Sequence, residues 1–418
     1  MSSNQSTQKT ANIILVACVL INLTVGVIYA WSVLKSKLTM SVDDGGFGWT
    51  KTEAGIPYSI AILTMATAML VGGKLQDKFG PRLIITIGGS LTGLGMLIAG
   101  MAGNSKIGMI LCFGVLAGIG MGFCYGCVTP AGVKWFHPSK KGLISGLIVG
   151  GFGLSAAIYA QLVRTLLESN SIETTLLYVG AGILVVTIIV AQFIKNPPAG
   201  YTPPVPASFS SAAAKAAPAV DFTTGEMMKT KSFYLMFIMF LLAASVGLMV
   251  IGNMAIIAKD QAKITDGATI ALIVAFLAIT NTAGRVIGGV VSDKIGRINT
   301  LYLVLFLQMV NMIAFQFYSS MALLAIGIVL VGFCYGSLLS VFPVLTADQF
   351  GLKNLGGNYG ILFLSWGFAG VVTPITADYL YGLNSNYYTA YMICAVMLGL
   401  MLVVNFLLQK DIAARSAA

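Results

Sequence analysis

Runs of about twenty apolar residues recur along the chain and alternate with short polar stretches. A helix of that length spans the hydrocarbon core of a bilayer, so the pattern predicts membrane-spanning helices. With 57% hydrophobic and only 9% charged residues, the composition excludes an ordinary soluble globular protein. We therefore expect an all-α integral membrane protein with twelve transmembrane helices. The predicted spans cover residues 13–34, 56–76, 82–103, 107–133, 141–164, 173–194, 232–257, 268–291, 299–318, 321–346, 356–378 and 387–409.

One polar stretch, residues 196–230, is far longer than the others and follows the sixth predicted span. Six of the twelve prolines lie in it, among alanine and serine residues. A segment of this composition buries no core, so we expect a mobile or extended linker. The predicted domains are an N-terminal six-helix bundle in residues 1–195, a cytoplasmic linker in 196–230 and a C-terminal six-helix bundle in 231–418.

The basic residues indicate how the chain is oriented in the membrane. If the N-terminus is inside, 16 of the 24 Lys and Arg residues fall in cytoplasmic segments, 7 fall in external segments and one lies within a span. Cytoplasmic loops carry the excess of Lys and Arg, so both termini are predicted in the cytoplasm and the protein in the plasma or inner membrane. We interpret the net charge of +10 as this bias, and predict no nucleic-acid partner.

Two short motifs occur once in each half of the chain. Gly122–Gly126 recurs letter for letter as Gly332–Gly336, at an offset of 210. Gly73–Arg82 is echoed by Gly289–Arg297, at an offset of 216. The repeats predict two pseudo-symmetric bundles, an architecture in which one half rocks against the other around a site near the middle of the membrane.

Arg285 is the one basic residue well inside a predicted span. A cation there costs about 2.5–3.5 kcal/mol on membrane-insertion scales and needs a partner or an aqueous cavity. Asn281 lies four residues earlier on the same helical face, and Gly284 and Gly288 let a neighbouring helix approach closely. We predict an anion-binding site. The alternative is an Arg side chain that reaches the cytoplasmic headgroups.

The stretch Gly73–Arg82 matches the loop signature G-x-x-x-D-(R/K)-x-G-x-(R/K), and in this the chain resembles the major facilitator superfamily. The resemblance implies the major facilitator fold and a charge lock between helix ends that opens and closes the cytoplasmic side. The alternative is a loop that only sets the topology. The predicted gate residues are Gly73, Asp77, Lys78, Gly80 and Arg82 in the first half, and Gly289, Asp293, Lys294, Gly296 and Arg297 in the second.

Within that superfamily, essentially the whole chain resembles the oxalate/formate antiporter-like group and the related monocarboxylate transporters. The resemblance implies that Arg285 binds the carboxylate of the substrate and that aromatic side chains wall the cavity. The lining residues implied are Tyr29, Phe152, Phe363 and Trp366. The motifs that carry the resemblance are Tyr29-Ala30-Trp31, NPPAGY at 196–201, TGEMMKT at 224–230, Asn281-x-x-x-Arg285 and GNYG at 357–360.

Two departures from these relatives define the predicted site. The oxalate exchanger carries a second embedded cation in its eleventh span, where this chain has Trp366. Animal monocarboxylate transporters carry a Lys where this chain has Val33 and an Asp where it has Asn281. The site is therefore predicted to hold one cation and no adjacent acid, which favours a monoanion.

Tyr125 and Tyr335 hold the same place in the two copies of the repeated pentapeptide. If they face each other, their hydroxyl groups can donate hydrogen bonds to a bound carboxylate, so both are predicted substrate contacts. The alternative for each aromatic residue is ordinary packing, and Tyr29 also fits the aromatic belt at the membrane surface.

The carrier of a coupled proton is the least determined part of the prediction. None of the fourteen acidic residues lies in the middle of a span. Asp260, at the outer end of the seventh span, is the candidate. Its alternative is a surface ion pair with Lys259, which contributes little to stability. The carboxylate of the substrate itself is a further candidate.

These observations predict a secondary transporter of small monocarboxylates such as lactate or pyruvate, with a proton as the coupling ion. The alternative is an organic anion exchanger of the oxalate/formate kind, and an open channel fits the duplicated gate motifs less well. An enzyme is not predicted, because no span carries a histidine, a metal-ligand cluster or a nucleophile–base pair. We predict no metal, no cofactor and a monomer in the lipid bilayer.

Overall fold

The computed structural model describes residues 2–198, 200–203 and 221–417. All regular secondary structure in this part of the chain is helical. The α-helices are α1 Ser2–Val25, α2 Trp31–Leu38, α3 Lys51–Phe79, α4 Pro81–Met101, α5 Lys106–Met109, α6 Gly118–Val133, α7 Lys141–Ser169, α8 Ile172–Ala191, α9 Thr224–Met227, α10 Lys231–Asp260, α11 Gly267–Ile295, α12 Arg297–Phe315, α13 Met321–Phe350, α14 Leu355–Asn384 and α15 Tyr388–Ala417.

Within the described residues, twelve helical spans are long and apolar enough to cross a membrane, which confirms the predicted number and class. Three of the spans are composite. A 3₁₀ segment, Gly26–Ala30, joins α1 to α2 in the first span, a π-helical segment, Ile110–Ala117, joins α5 to α6 in the fourth, and a 3₁₀ turn, Pro138–Lys140, precedes α7 in the fifth. The remaining spans are single helices, and α9 is a single turn.

The 3₁₀ segment marks a close approach of α7 to the first span. A Cβ atom at Gly26 would lie 1.9 Å from Oγ of Ser155, so only glycine fits there. Ser155 donates a hydrogen bond of 3.0 Å to the Gly26 carbonyl. Tyr29 lies in this tight turn, which directs its side chain by local backbone geometry and not by the regular helical pattern.

Contacts group the described residues into two compact units. Unit 1 holds the described residues of Met1–His137, Gly151–Phe209 and Lys353–Gly367, and unit 2 holds those of Pro138–Gly150, Ser210–Leu352 and Phe368–Ala418. Compared with the predicted bundles, the first part of α7 belongs to unit 2 and the first part of α14 to unit 1. The predicted domain boundaries at residues 195 and 230 stay a prediction.

The predicted linker is described only at its two ends, and both ends are attached. Tyr201 packs its ring 5.2 Å from that of Trp135 and donates a hydrogen bond to the Trp135 carbonyl. At the other end, the Phe222 N–H donates to the carbonyl of Phe350 at 3.0 Å. Ala199 and residues 204–220, on which the expectation of a mobile segment falls, lie outside the described residues.

Equivalent contacts in the two units define the register of the internal repeat. Thr64 donates to the carbonyl of Gly114 at 2.6 Å, and Thr280 donates to the carbonyl of Ile328 at 3.4 Å. The donors are 216 positions apart, whereas the acceptors are 214 positions apart. The repeat therefore relates α3 to α11 with an offset of 216 and α6 to α13 with an offset of 214.

This register corrects one expectation from the sequence. The two copies of the pentapeptide, 210 positions apart, are displaced by four residues, or about one helical turn. The expected equivalence of Tyr125 and Tyr335 is wrong, since Tyr125 corresponds to Leu339 and Tyr335 to Met121. Glycine recurs every four residues in α6, so a shift of one turn still places glycine at the helix contact.

Candidate functional site

Arg285 lies in the interior of unit 2, with only 1% of its surface exposed. Its Nε donates a hydrogen bond to Oδ1 of Asn281 at 3.2 Å, as their spacing on one helical face predicts. Its Nη1 donates to the main-chain carbonyl of Val149, in α7, at 2.7 Å. The guanidinium therefore does not extend to the membrane surface, and the alternative of a headgroup-seeking side chain does not describe this conformation.

Glycine residues bring two neighbouring helices against Arg285. A Cβ atom at Gly336 of α13 would lie 2.2 Å from the main-chain oxygen of Asn281 and 2.8 Å from the main-chain nitrogen of Arg285. A Cβ atom at Gly146 of α7 would lie 2.3 Å from the Arg285 carbonyl oxygen. Both positions exclude any larger residue without a backbone shift, so the helices pack at backbone distance on both sides of the cation.

Five of the predicted aromatic lining residues form a continuous chain of ring contacts in unit 1. The Phe152 ring lies 5.4 Å from Tyr29 and 4.8 Å from Tyr125, both in edge-to-face geometry. Tyr125 continues to Phe363 at 5.3 Å, and Phe363 stacks on Trp366 at 4.9 Å. Phe152, Tyr125, Phe363 and Trp366 are all buried. The structure thus brings these residues together as an aromatic cluster.

Tyr335 has different surroundings, in unit 2. A Cβ atom at Gly247 of α10 would lie 2.2 Å from Cδ2 of Tyr335, so the ring packs directly against α10 at this glycine. Tyr335 also lines a small cavity of about 10 Å³ together with Gln308 of α12, enough space for about one water molecule. Both amide atoms of Gln308 are buried and have no hydrogen-bond partner in the described part of the chain.

The gate motif of the second half forms a network at the start of α7. Asp293 accepts hydrogen bonds from the N–H groups of Gly142 and Leu143 at 2.9 and 2.8 Å, and thereby caps the N-terminus of α7. Arg297 donates to Asp293 at 2.6 Å and to Asp348 at 3.1 Å. Asp348 also accepts a hydrogen bond of 3.2 Å from Lys141, and the side chain of Lys141 is almost fully buried.

The gate motif of the first half makes a simpler contact at the start of α14. Asp77 accepts from the N–H of Gly357 at 3.0 Å, and Nζ of Lys134 lies 3.9 Å from its other oxygen. In both halves the motif glycine meets a glycine of the capped helix. A Cβ atom at Gly73 would lie 2.1 Å from the Gly356 oxygen, and one at Gly289 would lie 2.1 Å from the Gly142 oxygen.

The other gate residues lie at the turns that follow. Gly80 and Gly296 both have φ of +86°, a conformation that favours glycine and that joins α3 to α4 and α11 to α12. Lys78, Arg82 and Lys294 are exposed, and the ammonium of Lys78 lies 5.1 Å from the centre of the Phe79 ring. The basic residues directly after each motif aspartate therefore face outward.

Asp260 ends α10, and the Tyr381 hydroxyl donates a hydrogen bond to its Oδ2. This hydrogen bond, followed by desolvation, raises the pKa of Tyr381, so the phenol stays protonated as a donor. A second tyrosine of the same region, Tyr387, lies 4.8 Å from Tyr381 and donates to Asn253 at 2.9 Å. Asp260 thus contacts the far end of α14, a contact that the sequence did not predict.

Several contacts around these residues could not be predicted from the sequence. The Val149 carbonyl is a main-chain group, so no residue type marks it. Lys141 and Asp348 are 207 positions apart, and only the fold brings them together. A cation at the start of one helix and an acid near the end of another are weak signals, because charges at span ends are common.

Comparison with known proteins assigns the family. The family model described as Major Facilitator Superfamily matches residues 11–321. The chain belongs to the major facilitator superfamily. It is 30% identical to the uncharacterised MFS-type transporter YhjX of Escherichia coli (strain K12), over 87% of each chain. Members of this family are transporters, which confirms that the protein is a membrane transporter and not an enzyme.

Two further relatives are named for the substrates they carry. The chain is 26% identical to the oxalate:formate antiporter of Oxalobacter formigenes, over 84% of this chain and 80% of that one. It is 23% identical to monocarboxylate transporter 12 of Xenopus laevis, over 83% of this chain and 80% of that one. These matches confirm the resemblance to both groups that the motifs indicated.

Solved structures support the fold assignment. The crystal structure of the human organic anion transporter MFSD10 (TETRAN) matches with a TM-score of 0.70, covering 96% of this chain and 99% of that chain. The sequence identity is 14%, so the likeness concerns the fold alone. The protein is therefore an integral membrane protein with the major facilitator fold.

Proposed function

We propose that this transporter carries small monocarboxylates of the lactate and pyruvate type, and that Arg285 binds their carboxylate. The observation that carries the proposal is the burial of the Arg285 guanidinium, which is 1% exposed inside a helix bundle. A permanently charged guanidinium at such a position is costly unless it has a function, and it matches a carboxylate through two parallel hydrogen bonds. Asn281 orients it through the Nε contact.

The charge of the site favours a monoanion. One guanidinium neutralises one carboxylate, whereas a dianion leaves about one uncompensated negative charge, which costs several kcal/mol in a dry cavity after relaxation. Trp366, buried and stacked on Phe363, stands where the oxalate exchanger has its second cation. These features support lactate-like and pyruvate-like substrates.

The second candidate function is exchange of organic anions of the oxalate/formate kind. The relative from Oxalobacter formigenes favours it, because its similarity extends over most of both chains. A site with one embedded cation also favours exchange on physical grounds, since an empty site crosses the closed state with its charge uncompensated.

Transport by alternating access requires a gate, and the two motif aspartates supply one. Each caps the N-terminus of a helix, α7 for Asp293 and α14 for Asp77, and such caps can break and re-form as helix ends separate. We place these ends on the cytoplasmic side, together with both termini, according to the distribution of Lys and Arg. The functional unit in this proposal is a monomer.

Uptake into proteoliposomes tests the proposal. Labelled lactate and labelled oxalate are offered with and without an inward proton gradient, to the wild type and to Arg285→Ala. We expect saturable lactate uptake that the gradient accelerates and that Arg285→Ala abolishes. If oxalate displaces labelled lactate more effectively than unlabelled lactate or pyruvate does, the argument from one cation is wrong. The second candidate function, exchange of oxalate-type anions, is then the better description.

Asp260 is the proposed proton carrier, and another acidic residue, Asp266, gives the test a matched control. Asp260→Asn should slow net proton-driven uptake more than it slows lactate–lactate exchange, because exchange returns a loaded site. Asp266→Asn serves as the control, since Asp266 caps α11 through Thr269 and asparagine is an equally good capping residue. Equal effects of Asp260→Asn on net uptake and exchange would remove Asp260 from the mechanism.

A further inference from the structure

The acceptor that α7 offers to Arg285 is a neutral main-chain carbonyl. Val149 is 136 positions away in sequence, and its oxygen lies 2.7 Å from Nη1 of Arg285. The Asn281 contact, by contrast, comes from the same helix as Arg285 and moves with it. Withdrawal of the carbonyl from the guanidinium therefore requires a movement of α7 relative to α11.

The two helices touch along a ladder of α7 glycines. A Cβ atom at Gly142 would lie 2.2 Å from the Gly289 oxygen, and one at Gly146 would lie 2.3 Å from the Arg285 oxygen. One turn further, a Cβ atom at Gly150 would lie 3.5 Å from Cγ2 of Val286. The backbones of α7 and α11 thus lie close together between the Asp293 cap and Arg285. This close approach places the Val149 carbonyl within hydrogen-bond distance of the guanidinium.

We infer that the Val149 carbonyl occupies the place on Arg285 that the substrate carboxylate takes, so that substrate and the α7–α11 contact compete for the guanidinium. This inference rests on the proposed function, because it names the group that the substrate displaces. At 1% exposure the guanidinium offers no surface to an incoming anion, so a group now against it must withdraw. A carboxylate accepts two parallel hydrogen bonds from the guanidinium, whereas the Val149 carbonyl accepts one from Nη1, which makes replacement of the carbonyl by a carboxylate favourable.

The competition links the site to the gate. The same α7 that supplies the carbonyl has its N-terminus capped by Asp293. A carboxylate that replaces the Val149 oxygen removes one of the attachments of α7 to α11. Substrate binding thereby weakens the contact that the gate must release, which is how a bound anion favours translocation.

The sign of an affinity change tests the inference. Gly146→Ala places a methyl group against the Arg285 backbone and moves the carbonyl away. We expect it to lower the Kd for lactate about two- to tenfold, the range of one net hydrogen bond. Gly252→Ala is the matched control, because Gly252 of α10 has nothing within 4 Å of an added Cβ. Equilibrium binding of labelled lactate to purified protein gives the Kd, and an unchanged or higher Kd in Gly146→Ala overturns the inference.

A cross-linking measurement covers the case in which Gly146→Ala does not fold. Gly150→Cys with Val286→Cys joins two positions that face each other across α7 and α11, since a Cβ atom at residue 150 would lie 3.5 Å from Cγ2 of Val286. The rate of their oxidative cross-linking is read by mass spectrometry. Saturating lactate should slow the reaction several-fold, with a midpoint at the Kd for lactate, and a rate that lactate leaves unchanged overturns the inference. If the wild type binds no lactate, both this inference and the proposed function fail. If it binds lactate through Arg285 while neither variant responds, only this inference fails.

Discussion

The helices α3 and α11 are related by the internal repeat, and they differ at the two positions that hold Asn281 and Arg285 in α11. Each packs against its partner, the fourth span or α13, through the same threonine–carbonyl hydrogen bond and the same glycine contact. On that common frame, α3 carries Met65 and Met69 where α11 carries Asn281 and Arg285. All four side chains are buried. The helix packing therefore occurs in both halves, whereas the buried polar pair occurs only in α11.

The comparison separates packing from function. Glycines at equivalent positions serve helix approach in both halves, since a Cβ atom at Gly122 would lie 2.3 Å from the Met65 oxygen and one at Gly336 would lie 2.2 Å from the Asn281 oxygen. A buried methionine fills space without polar demand, whereas a buried guanidinium needs an anion or several acceptors. The proposed site is thus asymmetric, although the frame that holds it is symmetric.

The largest expected effect comes from making the second half chemically like the first. Arg285→Met copies Met69, and Arg285→Lys keeps the charge but loses the two-bond geometry. We expect saturable lactate uptake to fall by about 100-fold in Arg285→Met, at the upper range for hydrogen bonds to a charged group. The matched control, Met69→Leu, should transport normally. Substantial uptake by Arg285→Met, at normal membrane levels of the protein, would show that the substrate site lies elsewhere.

A second difference concerns the gate aspartates. Both aspartates accept from N–H groups at the start of a helix, but Asp293 also bonds to Arg297 at 2.6 Å, whereas the nearest cation to Asp77, Lys134, lies 3.9 Å away. Asp293→Asn should therefore lower the rate of uptake about tenfold, and Asp77→Asn less, if one hydrogen bond to a charged group is lost in the closed state. Initial rates and the Tm in detergent measure both. A larger effect from Asp77→Asn would reverse the assigned importance of the two gates.

The two glycine contacts offer a test of scaffold against site. Gly122→Ala and Gly336→Ala introduce the same steric conflict at equivalent positions, and each should destabilise the protein by about 1–3 kcal/mol, as overpacking does. Only Gly336→Ala shifts the backbone of Asn281 and Arg285, so only it should raise the KM for lactate, about threefold or more for a displaced hydrogen bond. Equal KM values in the two variants would mean that the α11 backbone does not position the site.

The sequence predicted much of this architecture because its signals are local. Apolar runs gave the twelve spans, and the spacing of four residues gave the Asn281–Arg285 hydrogen bond. The motif match identified two equivalent stretches, in each of which the aspartate lies at a helix contact, and their role as gates stays a prediction. Each of these inferences depends on residues within one helix or one loop.

The sequence did not predict contacts that depend on how helices are placed together. The contact of the Val149 carbonyl with Arg285 and the Lys141–Asp348 ion pair join segments that are far apart in the sequence. No residue pattern predicts either contact. The register of the repeat was predicted wrongly. Two identical pentapeptides suggested an offset of 210, whereas the helix contacts give 214, a difference of about one helical turn. In a membrane helix, glycines four residues apart permit several registers, and the packing of the whole helix selects one.

The smallest expected effect concerns the two tyrosines, which the pentapeptide made appear equivalent. Tyr125 contacts Phe152 and Phe363 within the aromatic cluster, whereas Tyr335 lines the small cavity beside Gln308. If both hydroxyl groups donate to the substrate, Phe at either position weakens binding by about 0.5–1.5 kcal/mol, the net value of one hydrogen bond. Their different surroundings favour a larger change in the Kd for Tyr125→Phe. Tyr335→Phe should mainly alter stability, because it changes the polarity around the buried Gln308 amide. Lactate binding and the Tm of both variants decide the matter: equal losses of affinity would place both hydroxyl groups on the substrate despite the shifted register, and unchanged affinity in both would reduce them to packing residues.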